Sequence, residues 1–183
     1  MKPNHTTSMA GRTVLVTGAT GGIGKATAHG LALMGAHLII TGRDPQRTEE
    51  TAETIRRAAG GQVDTFVADL SSQTQLRGLA HELLNTVPRI DVLINNAGGY
   101  WNTRHTTADG LERTFALNHL APFLLTNLLL DRLDQSGSAR VITEDSKEPE
   151  SPPTPSTRES SAPASEPRTP GSPSACSSRS CGP

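Results

Sequence analysis

The chain has 183 residues, a formal net charge of −1 and 34% hydrophobic side chains, which suits one domain with a short appendage. Because so balanced a charge does not favour binding to a phosphate backbone, we expect no nucleic acid as a partner. No run approaches the roughly 20 apolar residues that span a bilayer, and no apolar signal segment follows Met1, so we predict no membrane span and a cytoplasmic protein.

The apolar residues stop at Ile142. No Val, Ile, Leu, Met, Phe, Tyr or Trp follows it, and the 40 residues from Glu144 onward contain 11 Ser and 9 Pro. Such a segment cannot bury enough apolar surface to offset the entropy lost on ordering. We therefore predict an N-terminal extension at 1–11, a folded domain at 12–143 and a disordered tail at 144–183. Both cysteines fall in the tail, so the domain has no disulfide framework and no thiolate metal site.

Short apolar runs alternate with helical patterns along the folded domain. Continuous β-branched runs predict buried strands, and they lie at 13–17, 37–41, 63–67, 92–94 and 140–143. In the first helical segment the apolar stripe comprises Ile23, Ala26, Thr27, Gly30, Leu31 and Met34. The last helical segment, 111–133, is rich in leucine and is interrupted by Pro122.

Local signals mark the ends of the second and third helices. Asp44 before Pro45 is typical of an N-cap followed by a first-turn proline, and Gly60 is typical of a helix end. Ser72 with Gln75 fits a capping box. Strands and helices that alternate at this spacing predict an open α/β fold with a parallel sheet.

A glycine-rich loop joins the first strand to the first helix, in TVLVTGATGGIGKATAHGL. Gly18 permits the tight turn, Gly22 lets a pyrophosphate approach the backbone, and Gly24 lets the helix pack close to the strand. The helix N-terminus adds free N–H groups and the positive end of a dipole. The pattern predicts a dinucleotide site, and the alternative is a flexible turn that holds no ligand.

Four motifs together resemble the short-chain dehydrogenase/reductase family. Residues 17–24, TGATGGIG, are similar to its TGxxxGIG motif, and residues 95–98 match its NNAG motif. Residues 68–70, ADL, place an Asp where the family has one beside the adenine. Asn118, in FALNHLAPFLLT, matches the Asn of the catalytic tetrad, and the wording around it is most similar to the retinol-dehydrogenase-like branch, which acts on apolar alcohols and carbonyls.

The resemblance implies a Rossmann-type, doubly wound sheet with strand order 3-2-1-4-5 and reversible hydride transfer between a nicotinamide cofactor and an alcohol or carbonyl substrate. It makes Asn118 the catalytic position and implies no metal. The cofactor contacts that it implies are Gly18, Thr20, Gly22, Ile23, Gly24, Arg43, Asp69, Leu70, Asn96, Ala97 and Gly98.

The end of the second strand predicts which cofactor binds. In NAD-preferring members of the family an acidic residue at this position binds the ribose hydroxyls, whereas this chain has Gly42 followed by Arg43. Glycine removes the carboxylate that would repel a 2′-phosphate, and arginine offers a fork of donors to bind one, so we expect NADP(H) rather than NAD(H). Asp44 suits an N-cap better than a ribose ligand. Lys25 either adds positive charge near the phosphates or is a solvated surface lysine.

The family's general acid/base pair, a Tyr with a Lys four residues later, is absent from the sequence. The only tyrosine, Tyr100, precedes Asn118 and has Arg104 at the lysine position. We favour contact at the mouth of the site for Tyr100 over a catalytic role, because its proton would have to reach the substrate from a loop. Ser146 stands in the register of the family's catalytic Ser, but the composition of the tail favours coincidence.

We therefore interpret the chain as an incomplete family domain, in which the pattern ends at residue 144 before the Tyr–Lys helix, the last two strands and the substrate lid. The last strand becomes an exposed edge, and the leucine-rich helix is expected to leave an apolar patch that supports a homo-oligomer, since this region often forms the dimer interface in the family. The alternatives are a non-catalytic NADP(H)-binding or interaction module and a truncation product without a stable fold.

Overall fold

The computed structural model describes residues 8–144. The predicted N-terminal extension lies partly outside the described residues. Of the predicted tail only Glu144 is described, and Ser146 lies outside the described residues. Of the extension, Met9 is described, and its backbone N–H donates to the Met34 carbonyl at 2.9 Å. The division of the chain into these three segments remains a prediction.

Five parallel strands form one sheet, as the sequence predicted. They are Thr13–Thr17 (β1), His37–Gly42 (β2), Val63–Val67 (β3), Val92–Asn95 (β4) and Arg140–Thr143 (β5). The order across the sheet is β3-β2-β1-β4-β5, and every neighbouring pair is parallel. This confirms the predicted doubly wound topology.

The connecting helices begin and end close to the predicted signals. They are Gly22–Leu33 (α1), Pro45–Ala59 (α2), Gln73–Thr86 (α3), Arg113–Phe115 (α4), Ala121–Leu128 (α5) and Leu130–Asp134 (α6), with a π-helical segment at Ala116–Leu120. The Asp44 carboxylate accepts from the Arg47 N–H at 2.8 Å, and Gly60 ends α2 with a left-handed backbone. The capping box at α3 is only half formed, because the Gln75 side chain accepts from the Asp69 N–H instead of the Ser72 N–H.

Helices cover both faces of the sheet and divide the core into two layers. On one face α1 and α2 cover Val14, Val16, Leu38 and Ile40. On the other face α3 and α5 cover alternate residues of the same strands, Leu15, Ile39 and Leu93. This alternation is why the strands are continuous apolar runs, since each residue faces one layer or the other.

The face that α1 buries differs from the prediction. Its buried residues are Gly24, Ala28 and Ala32, whereas Ile23 is 65% exposed. The predicted stripe followed the larger side chains, but a helix that lies close to a sheet buries its smallest residues at the contact.

Among residues 8–144, β5 is an edge of the sheet, as predicted, but the predicted burial of its side chains is wrong. All four residues of β5 are exposed, with Val141 at 44% and Ile142 at 47%. The strand pairs with β4 on one side and ends the described sheet on the other, so its apolar side chains lack a covering layer among residues 8–144.

Charged residues join the amino ends of β1 and β4. The buried Asp91 carboxylate accepts from Arg12 Nη1 at 2.8 Å, from Arg89 Nη2 at 2.6 Å and from the Thr13 N–H at 2.9 Å. Burial by itself would raise the pKa of Asp91, but the hydrogen bonds from Arg89, Thr13 and Arg12 outweigh it and lower the pKa to about 2. We call Asp91, Arg12 and Arg89 the ionic clip.

Within residues 8–144 no helix is both long enough and apolar enough to cross a membrane.

Candidate functional site

The glycine-rich loop and the NNAG motif meet at the carboxyl ends of β1 and β4. These two neighbouring strands are not consecutive in the chain, so the sheet changes winding direction between them. Such a switch point is where open α/β sheets form a crevice that accepts ligands. The motif residues therefore lie where the fold itself provides a binding crevice.

Glycine is required in the loop for two different reasons. Gly18 has φ +66°, and a Cβ there would lie 2.8 Å from the Cα of Ala97. Gly24 has no such φ, but its Cβ would lie 2.2 Å from Asn96 Nδ2 and 2.6 Å from the Gly18 carbonyl oxygen. Gly18 thus forms the turn, and Gly24 lets α1 approach the NNAG motif.

Asn96 ties the NNAG motif to the glycine-rich loop. Its Nδ2 donates to the Thr17 carbonyl at 2.8 Å and to the Gly18 carbonyl at 3.2 Å. The N–H groups of Asn96 and Ala97 both donate to the Thr17 hydroxyl at 3.0 Å. The predicted cofactor residue Asn96 is therefore engaged through its amide in holding the loop.

Sequence reasoning missed the role of Thr17. Its hydroxyl donates to the Ile94 carbonyl at 3.3 Å while it accepts the two N–H groups of the NNAG motif, and the side chain is 2% exposed. A hydroxyl at the end of a buried apolar strand was the available signal, because a buried hydroxyl needs hydrogen-bond partners.

The N-terminus of α1 is open to an anion. Its N-cap is Gly21, no side chain caps it, and a Cβ on Gly22 would meet nothing within 4 Å. Ile23 and Gly22 are exposed and Thr20 is half-buried. Uncapped N–H groups at the positive end of a helix dipole, next to open space, fit the pyrophosphate of a dinucleotide.

The end of β2 carries no acidic side chain toward the site. Gly42 is buried and Arg43 is exposed, while the Asp44 carboxylate is engaged as the N-cap of α2. Lys25, in the first turn of α1, is also exposed. The cations at this edge are thus available to an anionic ligand.

After β3 the chain forms a polar turn beside a groove of about 280 Å³. Asp69 Oδ1 accepts from both the N–H and the hydroxyl of Ser71, at 2.9 and 2.7 Å. The predicted contact Leu70 is 7% exposed and packs in the core layer with α3. The groove lies between this turn and the loop before α4, and its lining includes Asp69, Gln75, His105 and Arg113.

Asn118 lies in the π-helical segment, not in a regular α-helix. Pro122 has no N–H to donate to the Asn118 carbonyl, and its ring would clash with that carbonyl in an α-helix. The wider π turn, in which the Ala121 N–H donates to the Ala116 carbonyl, accommodates the proline. The predicted interruption at Pro122 is confirmed, and it takes the form of a π-helical segment that contains Asn118.

The Asn118 side chain pairs with the backbone just after the NNAG motif. Its Oδ1 accepts from the Gly99 N–H and its Nδ2 donates to the Gly99 carbonyl, both at 3.0 Å. Gly98 is adjacent, since a Cβ there would lie 3.5 Å from Asn118 Oδ1. The structure thus brings the predicted catalytic Asn next to the predicted cofactor residues.

The loop after the motif presents its two aromatic residues differently. Tyr100 is 80% exposed. Trp101 is half-buried against the core, and the Arg113 guanidinium lies 4.5 Å from its ring centroid. Across the described part of the chain, no group of three His, Cys, Asp or Glu side chains is arranged to hold a metal ion.

The chain matches the short chain dehydrogenase family over residues 12–154. It is 45% identical over 144 residues to DnrU of Streptomyces sp. (strain C5), whose name proposes a daunorubicin C-13 ketoreductase, covering 77% of this chain and 50% of that one. It is 44% identical to mouse (Mus musculus) retinol dehydrogenase 14, covering 76% of this chain and 45% of the relative. The chain belongs to the short-chain dehydrogenase family and is similar to its retinol-dehydrogenase-like branch.

Solved structures agree with the sequence comparisons. The RhlG/NADP active-site complex of Pseudomonas aeruginosa superposes with a TM-score of 0.65 at 37% identity, over 73% of this chain and 54% of that one. Three further matching structures, with TM-scores of 0.63, 0.63 and 0.68, contain NADPH or NADP. The chain spans about half the length of the curated relatives it matches.

Proposed function

We propose that residues 12–143 form the NADP(H)-binding part of a short-chain oxidoreductase. The observation that carries the proposal is the uncapped N-terminus of α1 behind a loop in which Gly18 and Gly24 are required by close contacts with the NNAG motif. A loop that only had to turn would not need glycine at position 24, because the φ angle there is one that any residue adopts. Binding of NADP or NADPH by solved relatives of the same fold supports the proposal.

We propose that the cofactor is bound by the same residues that the sequence analysis predicted. Gly22, Ile23 and Thr20 face the pyrophosphate, and Asp69 faces the adenine end through the carboxylate oxygen that Ser71 does not use. Asn96 acts by positioning the loop, and Leu70 contributes through its backbone, because its side chain is buried. The 2′-phosphate is assigned to Arg43, which is exposed beside a residue without a side chain.

NADP(H), when bound, supplies or accepts the hydride in the reversible oxidation of an alcohol. We place the nicotinamide end of the cofactor near Asn118, whose side chain is held in position by its pair with Gly99. The sequence contains no Tyr-x-x-x-Lys, and its one tyrosine is 80% exposed. We therefore propose that turnover by these residues alone is reduced by about 10²–10⁴-fold, the usual effect of losing a general acid/base.

The second candidate function is a non-catalytic NADP(H)-binding or interaction module. The absence of the Tyr–Lys pair from the sequence favours it. An assay of NADPH oxidation with a small apolar aldehyde separates the two functions: measurable turnover supports the oxidoreductase, and binding without turnover supports the module.

A homo-oligomer and a cytoplasmic location belong to the same proposal. The helical region from α4 to α6 carries exposed apolar side chains at Phe115, Phe123 and Leu130, with His119 stacked on Phe115 at a centroid distance of 5.1 Å. Light scattering of wild type and of Phe123→Ser tests the oligomer. A dimer that dissociates in the variant supports it, and a monomeric wild type contradicts it.

The proposed cofactor is tested by titrating the full chain with NADPH and with NADH while following the fluorescence of Trp101, the only tryptophan. We expect saturable binding that favours NADPH. Arg43→Ala is expected to weaken NADPH binding by about tenfold or more and to leave NADH binding little changed, because only NADPH carries the 2′-phosphate. Arg47→Ala is the matched control, since Arg47 is also exposed but lies in α2. Equal effects of the two variants would contradict the assignment.

A further inference from the structure

Position 42, at the end of β2, requires glycine because neighbouring atoms leave no room for a side chain, and not because of its backbone conformation. Its φ is not among the left-handed values that favour glycine. A Cβ at this position would lie 2.3 Å from the Thr48 hydroxyl oxygen and 2.6 Å from Thr20 Cγ2, whereas Cβ atoms essentially never approach heavy atoms closer than 3.0 Å. A substitution at position 42 therefore requires at least one of these threonines to move.

The two threonines differ in how easily they yield. Thr20 is half-buried, and no hydrogen bond from its hydroxyl is present among residues 8–144, so it rotates readily. Thr48 is 0% exposed, and its hydroxyl donates to the Asp44 carbonyl at 2.6 Å. Rotating Thr48 away from Gly42 breaks that hydrogen bond inside the first turn of α2, which Asp44 also caps.

We propose that Thr48 is a specificity-determining residue, because its buried hydroxyl keeps the end of β2 free of any side chain and so excludes the carboxylate that would bind the ribose hydroxyls of NAD(H). The inference rests on the proposed function, in which Arg43 binds the 2′-phosphate. The preference for NADP(H) thus has two causes. The exposed Arg43 attracts the 2′-phosphate, and the buried Thr48 hydroxyl excludes a side chain at position 42.

It follows that a carboxylate placed at position 42 acts as a ribose ligand only if the Thr48 hydroxyl is removed with it. Thr48→Ala deletes the atom at 2.3 Å, while the Thr48 Cβ, at 3.5 Å, already lies at an ordinary contact distance. Thr51 provides a matched control one turn further along α2. It is buried at 4% exposure, and its hydroxyl makes the same kind of bond, to the Arg47 carbonyl at 2.8 Å.

The experiment compares wild type, Gly42→Asp with Thr48→Ala, and Gly42→Asp with Thr51→Ala, each as the full chain titrated with NADPH and NADH. We expect the Thr48 pair to bind NADH at least about tenfold more tightly than the Thr51 pair, and to have lost the preference for NADPH. Equal NADH affinity of the two pairs would overturn the inference, because the carboxylate would then fit beside an intact Thr48.

A second measurement reports packing without any cofactor. Gly42→Ala is expected to lower the thermal unfolding temperature, Thr48→Ala to restore part of that loss in the double variant, and Thr51→Ala to restore none. If wild type binds neither nucleotide, the proposed function fails and the specificity role fails with it, whatever the unfolding temperatures show. If wild type prefers NADPH but Thr48→Ala restores nothing, the inference alone is overturned.

Discussion

The two ends of β1 and β4 are held together by different kinds of contact. At the carboxyl ends the contacts come from backbone groups and the small polar side chains of Thr17 and Asn96, which leave the adjacent crevice open. At the amino ends the ionic clip joins the strands through the buried carboxylate of Asp91. The same pair of strands is therefore anchored by charge at one end and shaped for a ligand at the other.

The two ends of these strands differ in whether their contacts serve stability alone or stability and binding together. A carboxylate that accepts several hydrogen bonds, two of them from guanidinium groups, anchors strands without forming a cavity. A glycine loop tied down by an amide forms a crevice, but it tolerates no added atom at its contacts. Changes at the carboxyl end should therefore reduce both binding and stability, and changes at the amino end should reduce stability alone.

The largest effect is expected for Gly24→Ala at the carboxyl end. The new Cβ would displace the Asn96 amide and with it the hydrogen bonds to Thr17 and Gly18. We expect a loss of about 3 kcal/mol in the free energy of unfolding, measured with urea, from overpacking together with lost hydrogen bonds. NADPH affinity should fall by at least about tenfold.

Gly30→Ala is the control for that variant. Gly30 lies in the same helix, and a Cβ there would meet nothing within 4 Å. Replacing a helical glycine by alanine in open space should stabilise the chain by about 0.5–1 kcal/mol. If Gly24→Ala behaves like Gly30→Ala, the close contact between α1 and the NNAG motif is not as described.

The next largest effect is expected for Asp91→Asn at the amino end. The neutral amide keeps one acceptor oxygen for Arg12 and Arg89 but loses the negative charge, and its NH2 group cannot accept from the Thr13 N–H. We therefore expect the free energy of unfolding to fall by about 2 kcal/mol. NADPH affinity should not change, because the ionic clip lies at the opposite end of the sheet. Asp64→Asn, which breaks a half-exposed pair with His37, should cost about 0.5 kcal/mol or less. A loss of NADPH binding in Asp91→Asn would show that the two ends are coupled.

The ionic clip also predicts how stability depends on pH. The pKa of Asp91 is about 2 in the folded chain, below the ordinary 3.8, so its stabilising contribution is complete above pH 3.8 and is lost as pH falls toward 2. Urea midpoints of wild type should therefore fall more steeply than those of Asp91→Asn between these pH values. Parallel curves for the two proteins would contradict the lowered pKa.

Of the three test variants, Asn118→Ala is expected to have the smallest effect. It removes two hydrogen bonds to Gly99 from a half-buried side chain, which should cost about 1 kcal/mol of unfolding free energy. Asn127→Ala is the control, because its exposed amide bonds only to the Phe123 carbonyl of its own helix. If the two variants are equally stable, the pairing of Asn118 with Gly99 does not stabilise the site.

Features that depend on neighbours in the chain were predicted from the sequence. The five strands, the N-cap at Asp44 and the end of α2 at Gly60 follow from short stretches of residues. The buried face of α1 was mispredicted, because the residues that pack against a sheet depend on how closely the helix approaches it. The exposure of Val141 was mispredicted for a similar reason, since an apolar run alone does not show whether a second layer covers it.

The motifs by themselves indicated the family, and through that resemblance the sheet order and a dinucleotide site, because each motif is a short run of residues that can be recognised without its neighbours in space. Only the tertiary structure decided what the motif residues contact. Asn96 and Thr17 are 79 positions apart in the chain, and the distance between the Gly42 backbone and the Thr48 hydroxyl depends on how α2 packs against β2. Contacts of a few ångströms between separate elements arise from packing, and no local pattern of residues encodes them.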